Sequence, residues 1–288
     1  MQLADLYKPL TAHPFEQTVS YFEAEPCAAL KPYIRCFWGT IHPIFAPETG
    51  ISELVTPDTC CDVIFTVNHT ENTVNSAFCG TSDMSFAAYN YMQIPHLRSV
   101  FGVRFYAWSA VVFSEDTMRD SKNENSHADT HFSALRKTLA PQLFETVTLS
   151  ERIQIAEEFL LKHMHAERSS TLVSNAIYEI LSHRGNLRTE ELSRTLHIST
   201  RQIERRFLEE TGFSPKQLSN LIRYQYLWDG LLHHRFRSLA DAALEFGYTD
   251  QSHLTREFKR YHTLTIREAL QYAAKDVVFL QDKHTLSP

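Results

Sequence analysis

Residues 200–218 read TRQIERRFLEETGFSPKQL and residues 238–260 read SLADAALEFGYTDQSHLTREFKR. The first stretch follows Ser199, which with Gln202 three residues on has the pattern of a capping box. Ile203 and Phe207 stand at i, i+4, the spacing of one apolar helix face. Gly212 stands where a left-handed residue would end that helix, and Ser214-Pro215 is a helix start with proline at the first helical position. The second stretch repeats the plan. Ser238 and Asp241 open a short helix that stops near Gly247, Asp250 opens the next, and Leu254 and Phe258 form the same apolar pair. Two units of short helix, turn and helix are predicted, over 189–211 and 238–261, joined by one long helix through Leu221, Ile222, Leu227 and Leu231.

Outward from these units the helical period continues. Leu172, Val173, Ala176, Ile177, Ile180 and Leu181 form an i, i+3, i+4 stripe stopped by Gly185 and Asn186. Thr189 caps the short helix 190–196, and Thr265 with Glu268 opens a last one, so that seven helices are predicted between 172 and 274. The front half has a different rhythm. Residues 33–41, 61–68 and 97–107 are rich in aromatic and β-branched side chains and read as strands. Residues 121–131 (SKNENSHADTH) are polar, lack a period and read as a surface loop. Residues 151–165 place Ile153, Ala156, Leu160 and Leu161 on one helical face, and 166–170 read as a linker. The expected class is α+β: a strand-rich mixed domain over 1–168, then an all-α domain over 169–288 with two helix-turn-helix units on a long linker helix.

The 288 residues suit about two domains. Hydrophobic residues at 43% and charged residues at 22% exclude global disorder. No apolar run reaches the roughly 18 residues of a spanning helix, and 1–15 (MQLADLYKPLTAHPF) lack the apolar core of a secretory signal. A soluble cytoplasmic protein with no membrane partner is expected. The net charge of −6 is unevenly divided. Residues 1–169 hold 12 Lys and Arg against 20 Asp and Glu, and 170–288 hold 16 against 14, which hints at a polyanion partner for the back part. Cys27, Cys36, Cys60, Cys61 and Cys79 are odd in number and include no C-x-x-C pair, so reduced thiols are expected rather than disulfides.

The two quoted stretches resemble the DNA-binding domain of the AraC/XylS class of bacterial transcription regulators. RYQYLW (223–228) and DQSHLTREF (250–258) resemble one branch of that class. Its front domain has a P-D-x-C-x-D strand entry, here Pro57, Asp58, Cys60 and Asp62, and an F-G-V-R-F strand, here 101–105. Four positions depart from the family pattern. Thr263 stands where Gly falls, Thr265-Ile266 where Thr-Pro falls, Gly230 at an apolar position of the linker helix, and Tyr106-Ala107-Trp108 in place of a Pro/Gly turn.

The resemblance implies a transcription regulator whose two recognition helices read successive major grooves of a double-stranded operator, with no catalysis and no cofactor. Steps of 100° with Ile203 inward put Arg201 and Arg205 outward; with Leu254 inward, Ser252 and Arg256 fall there, and Lys259 beside them. By analogy with the family, Arg201, Glu204 and Arg205 face bases in the first unit, and Gln251, Ser252, His253 and Arg256 in the second. Thr200 and Lys259 suit phosphate contacts, which position a protein without specifying sequence. Alternatives stand beside these roles. Gln202 reads as a cap, Arg206 as a partner of Glu209 or Glu210, Glu204 as a surface partner of Arg201 or Arg205, and His253 as a partly buried helix residue.

The front domain is expected to bind a small-molecule effector or to dimerise, with RNA polymerase as a further partner. Its aromatic residues Phe37, Trp38, Phe65, Phe101, Phe105, Tyr106 and Trp108 suit a β-core better than a pocket. Arg104, inside an apolar strand, is the candidate effector contact; pairing with Asp58 or Asp62 is its structural alternative. A competing function is an alkyl-transfer DNA-repair regulator with a reactive or zinc-bound cysteine. Against it, Cys60 and Cys61 are adjacent, and neighbours on a strand face opposite sides. No metal site is expected, and neither G-x-S-x-G nor H-E-x-x-H occurs.

Overall fold

The structure is a computed structural model that describes residues 3–10, 22–45, 52–89, 97–146 and 148–274. Part of the 1–15 stretch and everything after residue 274 lie outside the described residues. The front domain opens with the short helix α1 (Leu3–Leu6) and holds β1 (Phe22–Ala24), β2 (Ile34–Gly39), β3 (Ile44–Phe45), β4 (Ser52–Val55), β5 (Cys60–Asn68), β6 (Thr73–Cys79), β7 (Phe86–Tyr89), β8 (Leu97–Tyr106) and β9 (Asn125–His127). An antiparallel sheet runs in the order β1-β2-β8-β5-β6-β9, with β3 on β8, while β4 and β7 pair separately.

Alternation decides which side of the sheet is core. Phe37, Cys61, Val63, Phe65, Val67, Phe78, Phe101, Val103 and Phe105 are buried in one cluster with the apolar faces of α2 (Asp129–Glu145) and α3 (Leu149–Lys162). The strand expectations hold at all three stretches, and Phe37, Phe65, Phe101, Phe105, Tyr106 and Trp108 are core, whereas Trp38 is half-buried on the opposite face of the sheet. Cys60 and Cys61 look away from each other, as neighbours on a strand must. Cys61 enters the front cluster and Cys60 joins the core of the helical part.

Four local readings need correction. Residues 121–131 are not a plain loop, because Asn125–His127 pairs with β6 (Ala77↔His127) and α2 begins at Asp129. An edge strand held by main-chain bonds needs no apolar alternation, so this polar sequence hid it. The helix read as 151–165 begins at Leu149 behind Thr148, which forms a capping box with Glu151. Its buried face carries Arg152, fully enclosed, whereas Leu161 is 44% exposed. Arg152 can be buried because Nη2 donates to Ser99 Oγ and to the carbonyls of Leu143 and Thr146 at the end of α2. The linker 166–170 is a short 3-10 turn, Ala166–Arg168, followed by Ser170 as a helix cap. The buried carboxylate of Glu210 accepts from Ser170 N and Oγ at 2.9 and 2.6 Å and so ties that cap to the first unit. Lastly, Arg188 rather than Thr189 precedes the short helix, its N–H donating to Glu191.

The helical part comprises α4 (Thr171–Ser182), α5 (Thr189–Thr195), α6 (Thr200–Thr211), α7 (Pro215–Leu232), α8 (Leu239–Glu245), α9 (Gln251–His262) and α10 (266–274). The repeat noted in the sequence extends to the turns. Ile198 N–H donates to Ser193 O and Tyr248 N–H to Ala243 O, while His197 and Gly247 take left-handed φ of 54° and 65° at matching places. The departures from the family pattern are accommodated. Thr263 adopts the left-handed conformation, φ 63°, that Gly212 adopts at the end of α6 with φ 74°. Gly230 lies under the ring of Phe236. Tyr106 and Trp108 stack at 5.1 Å and, with Tyr7, pack into the helical core.

Candidate nucleic-acid interface

Each reading helix is built so that its apolar pair anchors it and its polar side is left outward. Ile203, Phe207, Leu254 and Phe258 are all buried. Ser199 accepts from Gln202 N, and Gln202 Oε1 accepts from Ser199 N and Oγ, so Gln202 caps α6 as expected. Asp250 accepts from His253 N at 2.7 Å and starts α9. These caps leave several main-chain N–H groups at each helix start facing outward, an arrangement that suits phosphate oxygens.

On α6, Arg201, Glu204 and Arg205 are exposed, and Thr200 is half-buried beside the cap. On α9, Gln251, Ser252, Arg256 and Lys259 are exposed. Among the described residues Arg201, Arg205 and Arg256 make no ion pair, and Glu204 bridges to neither of its neighbouring arginines. Two other arginines of these helices are engaged: Arg206 pairs with Glu209 at 3.8 Å, and Arg260 pairs with Glu257 at 3.5 Å and covers the Tyr261 ring. His253 is half-buried. It stands edge-on to Tyr248 and its Nδ1 accepts from Thr249 N at 3.3 Å, so much of its role is local.

The helix between the units is 18 residues long, about 27 Å at 1.5 Å per residue. Its middle is gripped by the second unit. Arg223 covers the Tyr248 ring at 4.4 Å, and Tyr224 OH and His262 Nδ1 are 2.7 Å apart in the core of the second unit. Arg184, at the end of α4, pairs with Glu245 of α8 at 3.0 Å. Sequence reasoning missed Glu210, Arg223 and Arg184, since each takes its meaning from a partner dozens of residues away.

The front domain carries a second polar cluster, on the sheet face opposite its core. Arg104 Nε and Nη2 donate to both carboxylate oxygens of Asp62 at 2.9–3.3 Å, Nη1 lies 3.8 Å from Asp58, and Trp38 Nε1 donates to Asp62 at 2.7 Å. Arg104 is 6% exposed. Burial pushes Asp58 up to about 6, against the opposing pull of the Arg104 charge. The pairing alternative read from the sequence is therefore present. Burial also pushes the thiols nearby up, Cys36 and Cys79 to about 12 and Cys60 and Cys61 well above the usual range. A thiolate nucleophile or ligand requires the opposite shift.

A family described as a helix-turn-helix domain matches residues 192–272, and a domain of unknown function (DUF6597) matches residues 22–127. No curated protein matches the chain. Among solved structures, ToxT from Vibrio cholerae in a P21 form is similar at 14% identity and a TM-score of 0.37, over 81% of this chain and 97% of that one. ToxT bound to (E)-4-(8-methylnaphthalen-1-yl)but-3-enoic acid gives 13% and 0.38, over 82% and 99%. ToxT bound to an unsaturated fatty acid gives 14% and 0.36, over 81% and 94%. At that overlap no residue of this chain inherits a role from them. The helical part is an AraC-type helix-turn-helix domain, and the chain is a DNA-binding transcription regulator built on it. The alkyl-transfer alternative is not favoured. No described helix is long and apolar enough to cross a membrane.

Proposed function

We propose that residues 169–288 read an operator with α6 and α9 in successive major grooves, and that residues 1–168 bias that reading. The observation that carries this is the pair of anchored helices presenting Arg201, Arg205 and Arg256, exposed and without ion pairs among the described residues, on the sides away from the core. An unpaired arginine offers two parallel N–H donors that match O6 and N7 of guanine, worth about 1–3 kcal/mol of discrimination. Glu204 suits the amino group of cytosine, and Gln251, Ser252 and His253 extend the reading surface of α9. Thr200, at the start of α6, and Lys259, in the last turn of α9, suit phosphates. The length of α7 supports a separation near one helical turn of DNA, about 34 Å.

The front domain takes a small-molecule effector or forms a homodimer, and passes the result to the DNA or to RNA polymerase in the cytoplasm. An effector shifts DNA binding only by its differential affinity for the two states. Arg104 is its candidate contact, reached by breaking into the Asp58–Asp62 cluster. The test is site selection from random duplexes by full-length protein, followed by Arg205→Ala and Arg256→Ala. Each variant is expected to lose about 1–3 kcal/mol on the selected site, relax one half-site only, and lose far less on random DNA. Equal losses on all sequences would make the arginines phosphate clamps and overturn the role given them.

A further inference from the structure

Both reading helices end against the front domain. Met118 N–H donates to the Glu209 carbonyl in the last turn of α6 at 2.8 Å. Ser85 N–H donates to the Tyr261 carbonyl in the last turn of α9 at 2.7 Å, and Ser85 Oγ reaches the same oxygen at 3.2 Å. The last carbonyls of a helix have no partner within it and carry the negative end of its dipole, so each contact satisfies a group left open by the helix itself. The fit at α6 is close. A Cβ on Gly212 would stand 2.6 Å from Ser121 Oγ and 2.7 Å from the Met118 carbonyl, and Arg119 adds an ion pair to Glu209 at 3.4 Å.

The two contacting loops are also fastened to each other. Asp83 accepts from Asn123 Nδ2 at 2.9 Å and from Lys122 Nζ at 3.2 Å, its own N–H donates to Asn123 Oδ1 at 2.9 Å, and Asn123 N–H donates to the Thr81 carbonyl at 3.0 Å. Met118 itself is rooted in the front core at 1% exposure. The helix starts that carry Arg201, Gln251 and Ser252 stay exposed at the other end.

We propose that loops 81–85 and 118–124 form a single clamp that fixes α6 and α9 relative to each other, so that Asp83 is a positioning residue setting the half-site spacing the protein accepts. The inference rests on the two-groove reading above. A clamp of this kind acts by pre-organisation: it adds no contact to DNA but removes the cost of finding one geometry out of several. One base pair inserted between half-sites moves them apart by about 3.4 Å and turns one by about 35° about the duplex axis. Reading helices held at one separation cannot follow that change; loosened ones can.

The experiment uses full-length protein, wild type and Asp83→Ala, with Lys122→Ala as a second variant that removes the ion pair alone. Operators are selected from random duplexes, and affinity is then measured on the selected site and on sites with one base pair added or removed. Wild type should lose about tenfold or more on either change, whereas Asp83→Ala should lose less than about threefold and select a broader range of spacings. Base preferences inside each half-site should stay the same, a pattern that general destabilisation would not produce. Lys122→Ala should move the spacing penalty in the same direction. Unchanged penalties in both variants, with wild type strongly spacing-dependent, would overturn the clamp and leave the two-groove reading intact. A wild type indifferent to spacing would overturn both.

Discussion

The ring of Phe236 fills the space where a Cβ on Gly230 would stand, with Cζ 2.3 Å from that position. The glycine is a packing requirement inside α7 rather than a flaw in it, because the chain that leaves the helix folds back over its last turn. Gly230→Ala therefore sets a gain of about 1 kcal/mol in helix propensity against displacement of an aromatic ring that also meets Phe246 edge-on at 5.9 Å. Overpacking typically costs about 1–3 kcal/mol. A net loss of about 1 kcal/mol is expected in chemical denaturation; a gain would mean that the ring moves freely.

Thr263 at the end of α9 makes the opposite case. Its φ of 63° is left-handed, a conformation that costs a β-branched residue roughly 1–2 kcal/mol and costs glycine little. Thr263→Gly loses only the bond from Oγ1 to its neighbour's carbonyl, at 2.6 Å. It is expected to raise stability by about 1 kcal/mol, read as a higher midpoint in the same titration.

Arg104 neutralises two largely covered carboxylates, each 13% exposed, so Arg104→Met should destabilise the protein by about 3–5 kcal/mol at pH 7. The loss should shrink towards pH 5. Without the guanidinium that opposes its burial, Asp58 takes up a proton more readily in the fold, and a raised folded-state pKa means stability present at low pH and lost as pH rises. An Arg104→Met variant as stable as wild type at pH 7 would remove the arginine from the structural role and strengthen its claim as an effector contact.

His262 is buried among Trp228, Phe258 and Tyr224, and burial pushes it down to about 4. The folded state thus holds it neutral while the unfolded chain titrates near 6.5. Its contribution is complete above about pH 6.5 and is lost as pH falls towards 4, amounting to about 3 kcal/mol across that window. His262→Phe should flatten the pH dependence of stability in that range. Parallel profiles for wild type and variant would contradict the assignment.

The reading surface was legible because it is local. Caps such as Ser199, Ser214 and Asp250, and pairs such as Ile203 with Phe207, are written within four residues of each other, and the doubling of the pattern fixed the architecture. Strands β5 and β8 were equally plain from their alternation. What escaped was of two kinds. Strand β9 is held by main-chain bonds to β6 and leaves no trace in its side chains. Arg152, Glu210 and Asp83 are polar residues whose burial or pairing depends on carbonyls, caps and amides brought near by the fold, and no spacing rule predicts a polar group satisfied from a distance. The same holds for Thr263 and Gly230, which looked like defects until the backbone angle and the Phe236 ring gave each a reason.

The segment Leu3–Leu10 adds a matter of timing. Tyr7 packs against Tyr226 at 5.4 Å, and Leu10 N–H donates to Gln225 Oε1 across 215 residues of chain, while the amide of that same Gln225 donates to Pro57 O. A ribosome adding about 5–20 residues per second needs about 10–40 s to make the chain between those two partners. Leu3, Tyr7 and Leu10 spend that interval without the surface that will cover them. The seam between the two parts of the protein is thus closed by a segment made well before the surface that it covers.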